Sequence, residues 1–475
     1  MMDTGYWMIT KITRSYVVIG ITLYLIIFLY WLNSVNYYNV LNVTTFLSYA
    51  YLLWICVNKD EDFFSSRRLW LTVFIYSAIF VTLYLLLSYF YEGNTFLFSN
   101  VDARKYERYS FRMKDMEFVK AIRYISRIWD YSDWGAPMSM ALMLKLVPSK
   151  LFVNFIYILM NTISSLMLFD MGRIIGMSKK YSYIASLSYS IASYSIFMMG
   201  SYLKEETFVL LIVLSMWCLY KYRESSKIGY FFCGGVASFL LIFFRVPTAL
   251  FVWISYASLL LLGESSHVKK MLFTLLGVFV SIMVIGFWQY SSSRYANDGD
   301  FTTVGRYASS SFFQRMVGFV SILIGPFPTL YHITGTTLKS TPLLGSGVLF
   351  KFLLFLPFWK GLILCIKMKK NSLFPLYVFT IANMLGLLVV LRIDFRFAMI
   401  GMPFFMLAAF WYMDMYDSDA DESVRKTPYY YWTNLEFSLS LWIVFIVTIA
   451  WNVLVREQSS DVLYIEHLRL WLPGM

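Results

Sequence analysis

Apolar residues recur along the chain in runs of about 20 residues, the length that a helix needs to cross a bilayer, with short polar segments between them. Backbone groups in lipid must be hydrogen-bonded within their own segment, so we expect helices rather than strands. The pattern predicts about thirteen spans, near residues 17–32, 44–57, 69–90, 151–170, 182–200, 207–220, 228–244, 248–263, 271–289, 343–364, 372–391, 397–414 and 435–454.

The predicted fold class is therefore all-α, a polytopic transmembrane helical bundle. Two further apolar pieces, 137–147 and 316–328, are too short to cross and predict re-entrant or interfacial helices on the outer face. We divide the chain into an N-terminal helical hairpin (1–68), a catalytic membrane core with the outer loop 91–137 (69–310), and C-terminal membrane helices (311–475).

The distribution of charged residues predicts on which side of the membrane each segment between two spans lies. Of the 475 residues, 59% are hydrophobic and 14% are charged, against about 25% charged residues in a soluble domain. Lysine and arginine cluster in alternate connections, as at Arg67/Arg68 and Lys269/Lys270. The positive-inside rule makes those connections cytoplasmic, with the N-terminus inside and the C-terminus outside. The net charge of +12 follows from these clusters and does not argue for nucleic acid.

The loop 91–137 is the most informative outer segment. Loops this long are usually functional or disordered, and its many aromatic residues argue against a disordered spacer. Asp102 could act there as a general base on a sugar hydroxyl. The alternative is that Asp102 turns the chain or pairs with Arg104.

Several cations also lie at the predicted outer ends of spans. Lys204 and Glu205 open one span, where they are either functional or part of a polar turn. Arg245 interrupts an apolar run and should meet a carboxylate or an anionic ligand. Arg392 and Arg396 have the guanidinium shape that suits phosphate, or they extend to the interface as ordinary flanking residues.

The order of these features resembles the bacterial family-39-like membrane glycosyltransferases, which have the GT-C fold and include lipid A aminoarabinose transferases. The resemblance covers residues from about 98 to 410. It rests on Asp102 with Tyr106, Tyr131-Ser-Asp133-Trp134-Gly135-Ala-Pro137, Leu203-Lys204-Glu205, Phe244-Arg245-Val-Pro247, Gly325-Pro326-Phe327-Pro328, and Arg396 before Pro403. In that family the catalytic loop follows the first span, whereas here it follows the third, and no large soluble domain follows the last span.

The resemblance implies transfer of a sugar from a polyprenyl-phosphate donor to a glycan or lipid acceptor, at the outer face of a bacterial inner membrane. It makes Asp102 catalytic. We add Lys204 and Glu205 as catalytic candidates, and a divalent cation could be held by Asp102 and Glu205. The alternatives are an O-antigen or capsule polymerase and a lipid-linked oligosaccharide flippase. The candidate substrate-binding residues are Tyr106, Asp133, Arg245, Arg306, Arg392 and Arg396.

Overall fold

A computed structural model describes residues 61–93, 95, 101–262, 351–390 and 399–418, with a few positions between 47 and 55 and between 439 and 447. Within this part of the chain every regular element is a helix and there is no strand. The prediction of an all-α fold is confirmed for these residues.

Thirteen α-helices lie in the described ranges, and four short 3-10 helices accompany them. The α-helices are α1 (Ser66–Glu92), α2 (Val101–Met113), α3 (Phe118–Ser126), α4 (Gly135–Leu146), α5 (Lys150–Ile174), α6 (Lys179–Ser190), α7 (Ser193–Gly200), α8 (Glu205–Ser225), α9 (Ile228–Leu240), α10 (Val246–Leu262), α11 (Phe355–Lys367), α12 (Phe374–Val390) and α13 (Met402–Ser418). The 3-10 helices are Glu61–Phe63, Tyr131–Asp133, Leu241–Phe243 and Met399–Gly401.

Most of the predicted apolar runs fall on these helices. Two of the described helices, over Ser66–Phe90 and Lys150–Ile174, are long and apolar enough to cross a membrane. Shorter apolar helices cover Ile228–Phe243, Val246–Leu259 and Phe374–Gly386. The predicted spans 17–32 and 271–289, and the predicted interfacial piece 316–328, lie outside the described residues. The number of spans therefore stays a prediction.

One predicted span is two helices. The run 182–200 breaks between α6 and α7 at Ile191 and Ala192. Serine hydroxyls in α6 donate to backbone carbonyls one turn back, and Ser195 Oγ donates to the Tyr189 carbonyl across the break. Such bonds compete with regular helix geometry and satisfy the carbonyl groups that a break leaves without partners.

Helices α5 and α8 run in the same direction. At one end of the pair, the Lys150 ammonium group lies 5.4 Å from the centre of the Tyr202 ring. At the opposite end, Asp170 accepts a hydrogen bond from the Trp217 indole at 2.7 Å and lies 2.9 Å from Lys221. We call the end with Lys150 and Tyr202 the loop end, because the long polar loop packs there.

The loop 91–137 is itself folded. Helices α2 and α3 pack on α4 through a small apolar core of Met113, Ala121, Ile125 and Ala141. The predicted short helix at 137–147 is α4, which has 12 residues. The loop is therefore a helical cap, and its last residues, 131–135, are held against the rest of the bundle.

Candidate functional site

An ion pair between a buried lysine and a half-buried aspartate joins the end of the loop to the start of α8. Lys204 Nζ lies 2.6 Å from Asp133 Oδ1 and also donates to the Phe244 carbonyl at 3.2 Å. Lys204 is 6% exposed, so its charge is almost wholly removed from water. Three elements meet at this lysine: the 3-10 helix Tyr131–Asp133, the beginning of α8, and the break that follows Leu241–Phe243.

Arg245 lies beside the pair in the same break. Its guanidinium group lies 5.7 Å from the centre of the Phe208 ring, and that ring stacks on Phe244 at 6.2 Å. The break follows from the sequence, because Pro247 has no N–H and cannot continue a helix from α9. Proline is well tolerated in the first turn of the next helix, where α10 has it. Arg245 is therefore held in a junction rather than within a helix.

A close approach fixes the loop against this break. A Cβ atom on Gly135 would lie 2.4 Å from the Phe244 ring, so only glycine fits there. The Trp134 ring stacks beside Phe243 at 6.4 Å. These contacts set the position of Asp133, two residues before Gly135, relative to Lys204.

The turn before Lys204 has a strained backbone. Tyr202 is fully buried and has φ of 59°, a conformation that costs a non-glycine residue about 1–3 kcal/mol. Its ring lies under the Lys150 ammonium group, which donates to the Thr95 carbonyl at 2.7 Å. The turn that presents Lys204 is therefore in contact with Lys150, which is itself hydrogen-bonded to Thr95 at the start of the loop.

Burial lowers the pKa of the Lys204 ammonium group, and the positive charge of Arg245 lowers it further. The carboxylates of Asp133 and Glu205 oppose this by favouring the charged amine, and the net pKa is below the ordinary value. Asp133 therefore helps to keep Lys204 protonated. Two neighbouring cations, one of them buried, form a place that could receive an anion.

Glu205 and Glu206 follow Lys204 and line a small cavity. Both are buried in the first turn of α8, where the helix dipole favours negative charge. The other residues around the cavity are Tyr189, Tyr194, Ser195, Met198, Val209, Met399 and Ile400. Within the described ranges, no three His, Cys, Asp or Glu side chains come close enough to hold a metal ion together.

The two remaining candidates in the loop lie on α2. Asp102 is in the first turn of that helix and is half-buried. Tyr106 lies one turn later and is buried, with its ring 5.5 Å from the Trp129 ring in an edge-to-face contact. Tyr106 thus also has a packing role that its position in the motif did not reveal.

The structure brings together Asp133, Lys204, Glu205 and Arg245 from separate parts of the chain. Arg306, Arg392 and Arg396 lie outside the described residues. Two buried charged residues were not among the candidates. Glu206 follows the candidates Lys204 and Glu205 and is 3% exposed. Lys351 is also 3% exposed, with its ammonium group 5.9 Å from the centre of the Phe405 ring. Lys351 interrupts an apolar run, a signal that could have found it.

No family model, no curated protein and no solved structure matches the chain.

Proposed function

We propose that the chain is a membrane glycosyltransferase that uses a polyprenyl-phosphate sugar donor at the outer membrane face. The observation that carries the proposal is the meeting of the buried Lys204 with the half-buried Asp133 and Arg245 at one end of an apolar helical bundle. Desolvated cations at the edge of a membrane are expensive, and they suit the phosphate of a lipid carrier.

In the proposed reaction, Lys204 and Arg245 hold the donor phosphate, with Asp133 positioning Lys204. The acceptor hydroxyl attacks the anomeric carbon while the bond between that carbon and the phosphate oxygen breaks. Polyprenyl phosphate leaves with the bonding electrons, and Asp102 takes the proton of the hydroxyl. The leaving group is already an anion, so fixed cations can stabilise its developing charge without a general acid.

The exposed surface supports placement in a bilayer. Helix α1 carries large apolar side chains at intervals of three or four residues along its whole length, and all are exposed. Such a stripe is unfavourable in water and suits contact with lipid tails. We therefore propose a multi-pass bundle of about thirteen spans with the loop end outside and the N-terminus inside. The stripe consists of Leu71, Ile75, Ile79, Leu83, Leu86 and Phe90.

The proposed orientation predicts which side a reagent reaches. Ser126 in the loop and Ser225 at the end of α8 are both exposed, and the charge pattern puts them on opposite sides. In intact cells, a membrane-impermeant thiol reagent should label Ser126→Cys and should label Ser225→Cys only after the cells are broken. The wild-type protein controls for native cysteines. Labelling of Ser225→Cys alone in intact cells would reverse the orientation and remove the site from the outer face.

Arg245→Lys tests transfer chemistry directly. Lysine keeps the charge but loses the planar fork that contacts phosphate at two points and stacks on Phe208. We expect the transfer rate to fall by about tenfold or more while donor affinity falls less, because only interactions that strengthen in the transition state accelerate chemistry. The assay uses purified protein, polyprenyl-phosphate sugars and candidate acceptors.

The same assay distinguishes the alternatives. Product that contains whole repeat units would identify a polysaccharide polymerase. Donor binding and movement across liposomes, with no product from any acceptor, would favour a lipid-linked oligosaccharide flippase. An equal loss of affinity and rate in Arg245→Lys would make Arg245 an anchor for the lipid rather than a catalytic group.

A further inference from the structure

Helices α2 and α3 of the cap place four basic side chains on one exposed face. Arg112 Nη1 donates to Tyr124 Oη at 3.3 Å, which joins the two helices at an exposed edge. Arg108 lies one turn before Arg112 on α2, and Lys120 and Arg127 lie one turn to either side of Tyr124 along α3. All four basic side chains are exposed. We call this set, Arg108, Arg112, Lys120 and Arg127, the basic face.

The three arginines of the basic face form no ion pair with a carboxylate in the described part of the chain. Glu107 is half-buried and lies close to Lys150, so it is turned towards the bundle. Asp133 pairs with Lys204, and Glu117 lies 3.1 Å from the lysine of the basic face. An exposed cluster of cations that the protein itself does not neutralise attracts anions.

The first turn of α3 adds exposed apolar side chains beside these cations. Phe118 is 63% exposed and Val119 is 57% exposed, although Ala121 and Ile125 of the same helix pack with Ala141 of α4. A helix that has cations on one side and large exposed apolar side chains on another is typical of the membrane interface.

The position of α3 agrees with contact to a bilayer. Helix α3 packs on Ala141, and the next residue, Leu142, is exposed on the same side of α4 as Leu146. Soon afterwards α5 begins, which is one of the two described helices long and apolar enough to cross a membrane. The cap therefore lies beside the level at which lipid head groups meet the bundle.

We propose that the basic face binds the phosphate groups of anionic phospholipids at the loop end of the bundle. Phosphate matches the guanidinium groups in charge and in shape. The first turn of α3 reaches the boundary between head groups and acyl chains through Phe118 and Val119. A soluble anionic glycan would match the charges but would leave these two apolar side chains in water. Lipid binding by this face does not depend on sugar transfer.

The test measures hydrogen–deuterium exchange of the full-length protein in nanodiscs of phosphatidylcholine, with and without phosphatidylglycerol. A lipid that binds only the folded helices slows their local opening. We expect phosphatidylglycerol to slow exchange in α2 and α3 by about fivefold or more, because each basic residue near an anionic surface contributes about a fivefold change in binding. The triple variant Arg108→Gln/Arg112→Gln/Arg127→Gln should lose this slowing.

The matched control removes three exposed cations at the opposite end of the bundle, in Lys179→Gln/Arg223→Gln/Lys227→Gln. It lowers the net charge equally and should keep the slowing in α2 and α3. Both triple variants change exposed side chains, so their thermal unfolding in phosphatidylcholine discs should stay close to that of the wild type. Phe118→Ser should weaken the slowing, because it removes an apolar contact with lipid.

The outcomes decide between lipid and other partners of the basic face. Equal exchange of α2 and α3 in the two kinds of disc would overturn the proposal, and so would slowing that persists in the triple arginine variant. Slowing caused by soluble polygalacturonate in phosphatidylcholine discs, but not by phosphatidylglycerol, would overturn it in favour of an anionic glycan. Slowing by phosphatidylglycerol that shrinks at high ionic strength would support it, because salt screens exposed charges.

Discussion

Asp102→Asn should lower sugar transfer by about 10²–10⁴-fold, the usual loss when a positioned general base is removed. Asparagine has nearly the same shape, yet it cannot accept the proton of the attacking hydroxyl. Asp102 lies half-buried in the first turn of α2. Losing negative charge at that helix terminus costs only about 0.3–1 kcal/mol. The protein should therefore remain folded and bind donor while transfer fails.

The measurement is turnover of purified protein with saturating polyprenyl-phosphate sugar, together with donor affinity. Asp115→Asn is the matched control, because Asp115 lies in the same loop and is highly exposed, 3.8 Å from Lys114. It should transfer sugar at the wild-type rate. A wild-type transfer rate in Asp102→Asn would show that Asp102 is not the base. Asp102 would then have the structural role that the sequence also allows, in which it turns the chain or pairs with Arg104.

The helices of this fold could be predicted from the sequence because apolar runs of membrane length have one main structural solution. Helices α1 and α5 match the predicted runs 69–90 and 151–170 closely. The break between α6 and α7 could not be predicted in that way. Its apolar periodicity continues through the break, and the serine hydroxyls that bond to the backbone near Ser190 only weaken the helix there.

Several residues of the candidate site could be predicted from the sequence, but their positions relative to one another could not. Lys204 and Arg245 were each visible as charges at the edge of apolar runs, because such charges are expensive there. The sequence held no sign that Lys204 would meet Asp133, since the pair depends on how the loop folds back over the bundle. The Gly135 contact with Phe244 produces that path, and a close approach of this kind is a property of tertiary packing.

The burial of Glu206 could not be predicted from the sequence either. A polar turn and a buried cavity wall have the same sequence, Lys-Glu-Glu, before an apolar run. What distinguishes them is the packing of residues 181–209, almost all of which are buried. A polar residue that is buried at the start of a helix is therefore a better candidate than its sequence context indicates.

Asp133→Asn should destabilise the protein by about 3 kcal/mol and shift the pH dependence of transfer. Removing one partner of a buried ion pair leaves the other charge without compensation, at a cost of about 3–5 kcal/mol. The lower end applies here, because the Asp133 side chain is 32% exposed and the Phe244 carbonyl still accepts from Lys204. The mutation also removes a carboxylate that raises the pKa of Lys204. Burial and Arg245 still lower this pKa in the variant, and Glu205 still raises it.

The direction of the pH effect follows from that balance. Lys204 must be protonated to hold phosphate, so transfer declines where pH rises through its pKa. In Asp133→Asn that pKa is lower, so the alkaline limb of the pH–rate profile should move to lower pH and activity should recover as pH falls. Lys204→Met in the same background should remove the alkaline limb assigned to Lys204 and restore part of the stability, because the uncompensated charge is gone. An unshifted limb in Asp133→Asn would mean that Asp133 supports the fold without tuning the charge of Lys204.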